Sequence, residues 1–158
     1  MVAPTGSRSR STLGTASAGP MADSIDTPEW KKFVADYKAN FKYGFPSPSL
    51  FAYLYYVNTR ATLEALDKVK GDLSNGQKAF RDALQKTDFK GPAGEIKIDA
   101  NRNGVGSTYI TEVTKAPDGS FYNKVVKVVP NISQTLGLPE ADFKKMGLGS
   151  RDVPDCRK

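Results

Sequence analysis

DTPEWKKFVADYKANFKYG (26–44), PSPSLFAYLYYVNTRATLEALDKVKG (46–71) and FKGPAGEIKIDANRNG (89–104) are the stretches that decide the fold of this chain. The first predicts an amphipathic helix. Asp26 or Thr27 caps it, Pro28 fits the first turn and Glu29 places negative charge near the positive end of the helix dipole. Trp30, Phe33, Val34, Tyr37 and Phe41 recur at helical spacing as one wide apolar stripe opposite Lys31, Lys32, Asp36 and Lys38, and Gly44 stops the helix. Such a stripe reads as core packing. The second stretch predicts a helix from Ser47 or Pro48 to just before Gly71. Its opening, Leu50 to Val57, is apolar or aromatic all round and predicts burial on nearly every side, deepest toward the N-terminus, where free amide groups could meet a ligand. Its second half sets Leu63, Leu66 and Val69 against Glu64, Asp67 and Lys68.

Working outward, a third helix is expected from about Asn75 to Lys86, with Phe80 and Leu84 one turn apart. After Phe89 the period changes to two. Ile96 and Ile98 alternate with Glu95, Lys97 and Asp99 as a half-buried strand, and the turn Asn101 to Gly104 leads into Ser107–Thr114. Pro117, Asp118 and Gly119 signal a turn before Phe121–Val129, so these last two strands are expected to pair as a hairpin. Upstream, the small-residue run Leu13–Ala18, ended by Gly19 and Pro20, is compatible with a buried strand followed by a crossing segment. From Pro130 onward the chain reads as loop with one short helix. No internal repeat is visible.

The 158 residues carry 23 Lys and Arg against 17 Asp and Glu, a formal net charge of +6, and no histidine. The basic excess does not form the clustered stripe that phosphate contact needs, because several of its members lie in the two tails and the internal lysines alternate with acids. Nucleic acid is therefore not the expected partner. Without histidine the chain lacks the commonest general base and the commonest zinc ligand. Its single cysteine, Cys156, forms no internal disulfide and sits in an irregular tail. MVAPTGSRSRSTLG has two arginines but no apolar run of signal-peptide length, and no segment approaches the roughly 20 apolar residues of a membrane span.

Other motifs dissolve on inspection. Asp99, Asn101, Asn103 and Gly104 match the opening of a calcium loop, but the twelfth position is Ile110, so the stretch reads as a polar turn. Gly104 to Ser107 lack the third glycine of a dinucleotide loop and the lysine of a phosphate loop. No serine stands in a strand-turn-helix elbow. Phe51, Tyr53, Tyr55 and Tyr56 could line an apolar ligand site or be core; core is the reading favoured for the tyrosines.

In this order, the capped helix, the Pro-started helix with an aromatic opening, the shorter helix and the Gly- and Pro-bearing lead-in to a strand resemble the C-terminal part of type I periplasmic solute-binding proteins, most of all the branched-chain amino acid group. The resemblance covers roughly Gly14 to Val129 and rests on ordered elements, with no single invariant motif. It implies an α/β fold: the C-terminal portion of a two-lobed periplasmic binding protein, three helices followed by a β-hairpin region, with both lobes incomplete. Residues 1–12 would be a disordered or foreign leader, 13–130 a partial periplasmic-binding-protein-like domain and 131–158 a C-terminal extension. Gly14–Met21 would be the last strand of the second lobe leading into a hinge, the helices would return to the first lobe, and the hairpin strands would cross again. The expected parent is longer, with its export signal in the missing part.

Proteins similar to this bind a small solute between two lobes joined by three crossing strands and hand it to the membrane permease of an ABC transporter. The resemblance thus implies a periplasmic, non-enzymatic protein without cofactor or metal, a monomer in full-length form, and a small-molecule amino acid ligand. In the family an aromatic residue at the start of the second helix lines the side-chain pocket, and Phe51 falls there. Ser49, in the first turn, and Met21, by the hinge, lie near the same cleft on this mapping. An amino acid with an apolar side chain is the first expectation, with an amide or urea-like solute kept open. A ligand-sensing module built on the same fold and a small basic nucleic-acid-interacting protein are the competing readings.

Overall fold

The computed structural model describes residues 12–42 and 47–147. In chain order these form β1 (Ala16–Gly19), α1 (Pro28–Asn40), α2 (Leu50–Lys68), α3 (Ser74–Gln85), β2 (Asp88–Gly91), β3 (Gly94–Ile98), β4 (Gly104–Lys115), β5 (Phe121–Ile132) and α4 (Glu140–Lys145). The mixed α/β architecture expected from the sequence is present, three helices and then a long hairpin.

The sheet is antiparallel and organised around β4. Near its start β4 pairs with β3, Val105 opposite Lys97. Over its second half it pairs with β1, Ala16 opposite Glu112 and Gly19 opposite Tyr109. Along most of its length it pairs with β5, with irregularities between Gly106 and Thr108 and between Ile110 and Thr111. One continuous strand therefore joins the β2–β3 end of the molecule to the β1 end. The β4–β5 turn closes where the sequence puts Pro117-Asp118-Gly119: Ala116 N–H donates to the Ser120 carbonyl at 2.8 Å, and Gly119 adopts φ +88°, which a side chain would resist.

The helix starts follow their capping residues. Thr27 Oγ1 accepts from the Trp30 N–H (3.2 Å) with Pro28 in the first turn of α1, and Ser49 Oγ accepts from the Ala52 N–H (3.2 Å) at the start of α2. The second helix thus begins at Leu50, just beyond Ser47 and Pro48. The first stops at Asn40 with Phe41 as its cap, while Gly44 lies outside the described residues. In α3 the opening residues Asn75, Gly76 and Gln77 have left-handed backbone angles, so regular helix starts only after them.

The core is small: Ala22, Ile25, Trp30, Tyr53, Val57, Phe89, Ala93 and Tyr109, with Met21, Phe33, Val34, Ala61, Ile96 and Val125 packed against it. Trp30 and Tyr53 meet at 6.1 Å between centroids, edge to face, and Phe33 lies 5.6 Å from Trp30. Tyr109 donates its hydroxyl to the Ala93 carbonyl at 2.8 Å, binding β4 to the β2–β3 turn. Arg60 fastens α2 to β2: its guanidinium stacks 4.3 Å over Phe89, donates to the Lys90 carbonyl and pairs with Glu64 at 2.7 Å.

Three expectations are corrected. β1 is not buried; its residues are mostly exposed, because small side chains at a sheet edge have nothing packed over them among the described residues. The α1 stripe is core only at Trp30, Phe33 and Val34, and by Phe41 it is 60% exposed. The opening of α2 is not enclosed either. Tyr53, Val57 and Ala65 form the buried line, one turn or two apart, whereas Leu50, Phe51, Leu54, Tyr55 and Tyr56 are exposed. The line through Tyr53 and Val57 meets the core, while on one flank Tyr56 packs beside Phe33 at 5.0 Å between ring centroids and yet stays exposed. Tyr53 is the core tyrosine that was expected, and Tyr55 and Tyr56 are not.

Candidate functional site

Of the three residues singled out from the sequence, Ser49 and Phe51 lie at the opening of α2 and Met21 lies in the segment that follows β1. Ser49 is committed as the cap, its hydroxyl holding the Ala52 N–H and its carbonyl accepting from the Tyr53 N–H at 3.1 Å. Phe51, in the first turn, is 70% exposed. Met21 sits in the segment that leaves β1 and is partly buried against the core. That segment is tied to the approach of α2 by a hydrogen bond from the Ser47 hydroxyl to Asp23 Oδ1 at 2.9 Å. A residue two positions beyond Met21 therefore contacts a residue two positions before Ser49.

Two concave surfaces lie elsewhere. The larger, about 1070 Å³, runs between α1 and α2 and is floored by Phe33, Tyr37, Tyr55 and Tyr56. Ion pairs rim it: Lys32 with Asp36 (2.7 Å), Arg60 with Glu64 and Lys90 with Glu29 (2.6 Å). The hydrogen bond from Lys90 holds the Glu29 carboxyl below its ordinary range, and Glu64 raises the Arg60 guanidinium by the same kind of contact. A second hollow, about 460 Å³, separates the other flank of α2 from β3 and β4, with Leu54, Val57 and Ile96 among its walls. Neither includes Phe51, Ser49 or Met21. Both follow the exposed apolar flanks of α2 along its length, which is the form of a helix-packing face. A solute pocket instead converges a few polar groups on an apolar wall.

Burial dominates the chemistry of the core. It pushes the Tyr53 phenol up to about 12, with the neighbouring Tyr109 adding to the rise, and it raises Tyr109 as well. Both are neutral, inert hydroxyls at ordinary pH. Asp99 is occupied by its own turn, Oδ1 accepting from the Asn101 and Asn103 N–H groups at 2.9 Å each. Among the described residues no group of three or more His, Cys, Asp or Glu side chains could hold a metal ion, and no helix is long and apolar enough to cross a membrane.

Sequence reasoning missed Asp23. The only signal it gives is position, between a strand and a helix cap, since its partners lie far away in the chain.

Comparison with known proteins agrees with the architecture. A family model described as "Periplasmic binding protein" matches residues 3–119. A Leu/Ile/Val-binding protein homolog of Brucella abortus is 28% identical over 116 residues, covering 73% of this chain and 29% of the relative. An ABC transporter substrate-binding protein from Sphaerobacter thermophilus superposes with a TM-score of 0.71 at 29% identity, over 78% of this chain and 33% of that one. A solute-binding protein of an ABC transporter from Rhodopseudomonas palustris BisB5, in complex with 3,4-dihydroxybenzoic acid, superposes with a TM-score of 0.69 at 28% identity, over 77% and 32%. The chain spans about a third of the length of these relatives. Its family model, its sheet built on one long shared strand and its capped helices concur: the chain belongs to the periplasmic binding proteins, a family that binds solutes without catalysing their conversion.

Proposed function

We propose that this chain supplies part of the solute-binding component of an ABC transporter, working outside the inner membrane with a permease, and that α2 contributes the wall of the solute site. The observation that carries the reading is Phe51: a large aromatic side chain left 70% exposed in the first turn of a capped helix, whose lead-in residue Ser47 is bonded to the segment that joins β1 to α1. An exposed ring at that place gives an apolar solute group a surface to cover. The first N–H groups of α2, which no intrahelical carbonyl can reach, favour a carboxylate nearby. The Ser49 cap orients that turn.

The solute that fits this wall is a small carboxylate with an apolar portion. A branched-chain amino acid is the leading choice, supported by the Leu/Ile/Val-binding relative. An aromatic acid is the second reading, favoured by the 3,4-dihydroxybenzoic acid held by the Rhodopseudomonas palustris neighbour. Titration calorimetry of the complete gene product with L-leucine, L-isoleucine, L-valine and 3,4-dihydroxybenzoate decides between them. Binding of the amino acids alone supports the first reading and binding of the benzoate alone the second. No heat with any of the four, from folded protein, refutes both.

A further inference from the structure

The segment between β1 and α1 converges on two distant elements through one carboxylate. Asp23 Oδ1 accepts from the Ser47 hydroxyl at 2.9 Å, while Oδ2 accepts from the backbone N–H of Asn123 at 2.9 Å and from its side-chain amide at 3.1 Å. The next residue adds a parallel contact, Ser24 Oγ accepting from the Val125 N–H at 2.7 Å. Asn123 and Val125 are two apart in β5, so their N–H groups face the same edge of that strand. Asp23 thus bridges Ser47, 24 residues away, and Asn123, 100 residues away. Among the described residues no ammonium or guanidinium pairs with this carboxylate. Among those residues its charge is met by hydrogen-bond donors, and a hydrogen bond to an ionised acceptor is stronger than one between neutral groups.

We infer that Asp23 is a positioning residue that clamps the opening of α2 to strand β5 and so fixes where Ser49 and Phe51 stand. The bearing of this clamp on solute affinity rests on the function proposed above; the clamp itself does not. Its two arms are separable. The Ser47 arm ends two residues before the α2 cap, and the Asn123 arm ends on the strand that pairs with β4 along most of its length. Ser24 holds the same strand edge through its own hydroxyl, not through the Ser47 bridge, and provides an internal control. Asparagine at position 23 keeps the shape: its oxygen still accepts from Asn123, and its amide donates to Ser47, whose hydroxyl can serve as acceptor.

Amide hydrogen exchange followed by NMR on the 158-residue chain tests this without any solute. Asp23→Ala is expected to speed exchange about fivefold or more at Asn123 and also at Ala52 and Tyr53, the first bonded amides of α2. Asp23→Asn should restore most of the protection at all three. Ser24→Ala should speed exchange at Val125 and leave α2 at its wild-type rate. If Asp23→Ala speeds Asn123 but leaves Ala52 and Tyr53 unchanged, Asp23 merely caps a strand edge and the inference is overturned. Should Asp23→Ala lose protection everywhere by unfolding, Ser47→Ala decides. That variant keeps the Asn123 arm, and it must speed Ala52 and Tyr53 while sparing Asn123; unchanged rates in α2 overturn the clamp. A failure of wild-type protein to bind L-leucine or 3,4-dihydroxybenzoate would instead count against the proposed function and leave the exchange result standing.

Discussion

Phe51→Ala separates binding from stability more cleanly than any other substitution in this chain. An aromatic side chain presents on the order of 200 Å². At 70% exposure Phe51 leaves about 140 Å² of that to be covered, and a solute lying against one face of the ring covers roughly half. At about 25 cal/mol per Å² the contact is worth about 1.7 kcal/mol, so the variant should bind the solute about 10- to 20-fold more weakly. Because the ring is already exposed, its loss removes little packing, and alanine is the better helix former, so unfolding free energy should change by no more than about 0.5 kcal/mol. Calorimetric titration with the best of the four candidate solutes, alongside urea unfolding of both proteins, measures the two quantities. Tyr55→Ala is the control, since Tyr55 is 72% exposed one turn further along and should leave affinity alone. Equal affinities for wild type and Phe51→Ala, with stability intact, refute the assignment. So does a stability loss above about 2 kcal/mol, which would mean that Phe51 is a packing residue in the complete gene product.

Substitutions at two further residues probe the core. Trp30 is 2% exposed and its indole N–H has no acceptor among the described residues, so Trp30→Phe removes an unsatisfied donor as well as some apolar surface. It should cost less than about 2 kcal/mol in urea unfolding against about 3–5 kcal/mol for Trp30→Ala, and equal costs would show that the indole N–H is satisfied in solution. The Tyr53 phenol, pushed up to about 12 by burial, ties stability to alkaline pH. Its raised folded-state value means that the stabilisation is complete below pH 10 and is lost as pH rises from 10 toward 12. Tyr53→Phe should flatten that part of the stability curve, and an unchanged slope would place its cause elsewhere.

Local signals carried the helices well, and the reason is visible in the atoms. Thr27 caps α1 as one of the two residues expected to, because the cap is a contact over three residues, whereas Ser49, expected inside the first turn of a helix starting at Ser47 or Pro48, is itself the cap of α2. Strand β2 escaped notice because Asp88–Gly91 offers only Phe89 as a large apolar residue, and the β2–β3 turn at Pro92 and Ala93 lacks the Asn-Gly or Asp-Gly pair that marks a short hairpin. Pro130 was expected to end β5, yet the strand continues to Ile132, with Asn131 in a left-handed conformation that breaks its regularity. Asp23 was invisible for a different reason: a carboxylate in a loop has no periodicity, and partners 24 and 100 residues away leave no pattern around it.

The error over α2 is the instructive one. An all-apolar run from Leu50 to Val57 states that several faces of the helix avoid water, but says nothing about which of them a neighbour reaches. The core reaches one line, Tyr53 and Val57, where Trp30 and Phe89 wait. The lines through Leu54 on one side and Tyr56 on the other border the two hollows. Phe51 lines neither hollow and stands four residues beyond Ser47, the partner of Asp23. Its exposure therefore differs in kind from theirs. Leu54 and Tyr56 lie along grooves running down the helix, which suit an extended packing partner. Phe51 stands in the first turn, which under the proposed function offers a small amphipathic solute an apolar surface next to the first backbone N–H groups of α2.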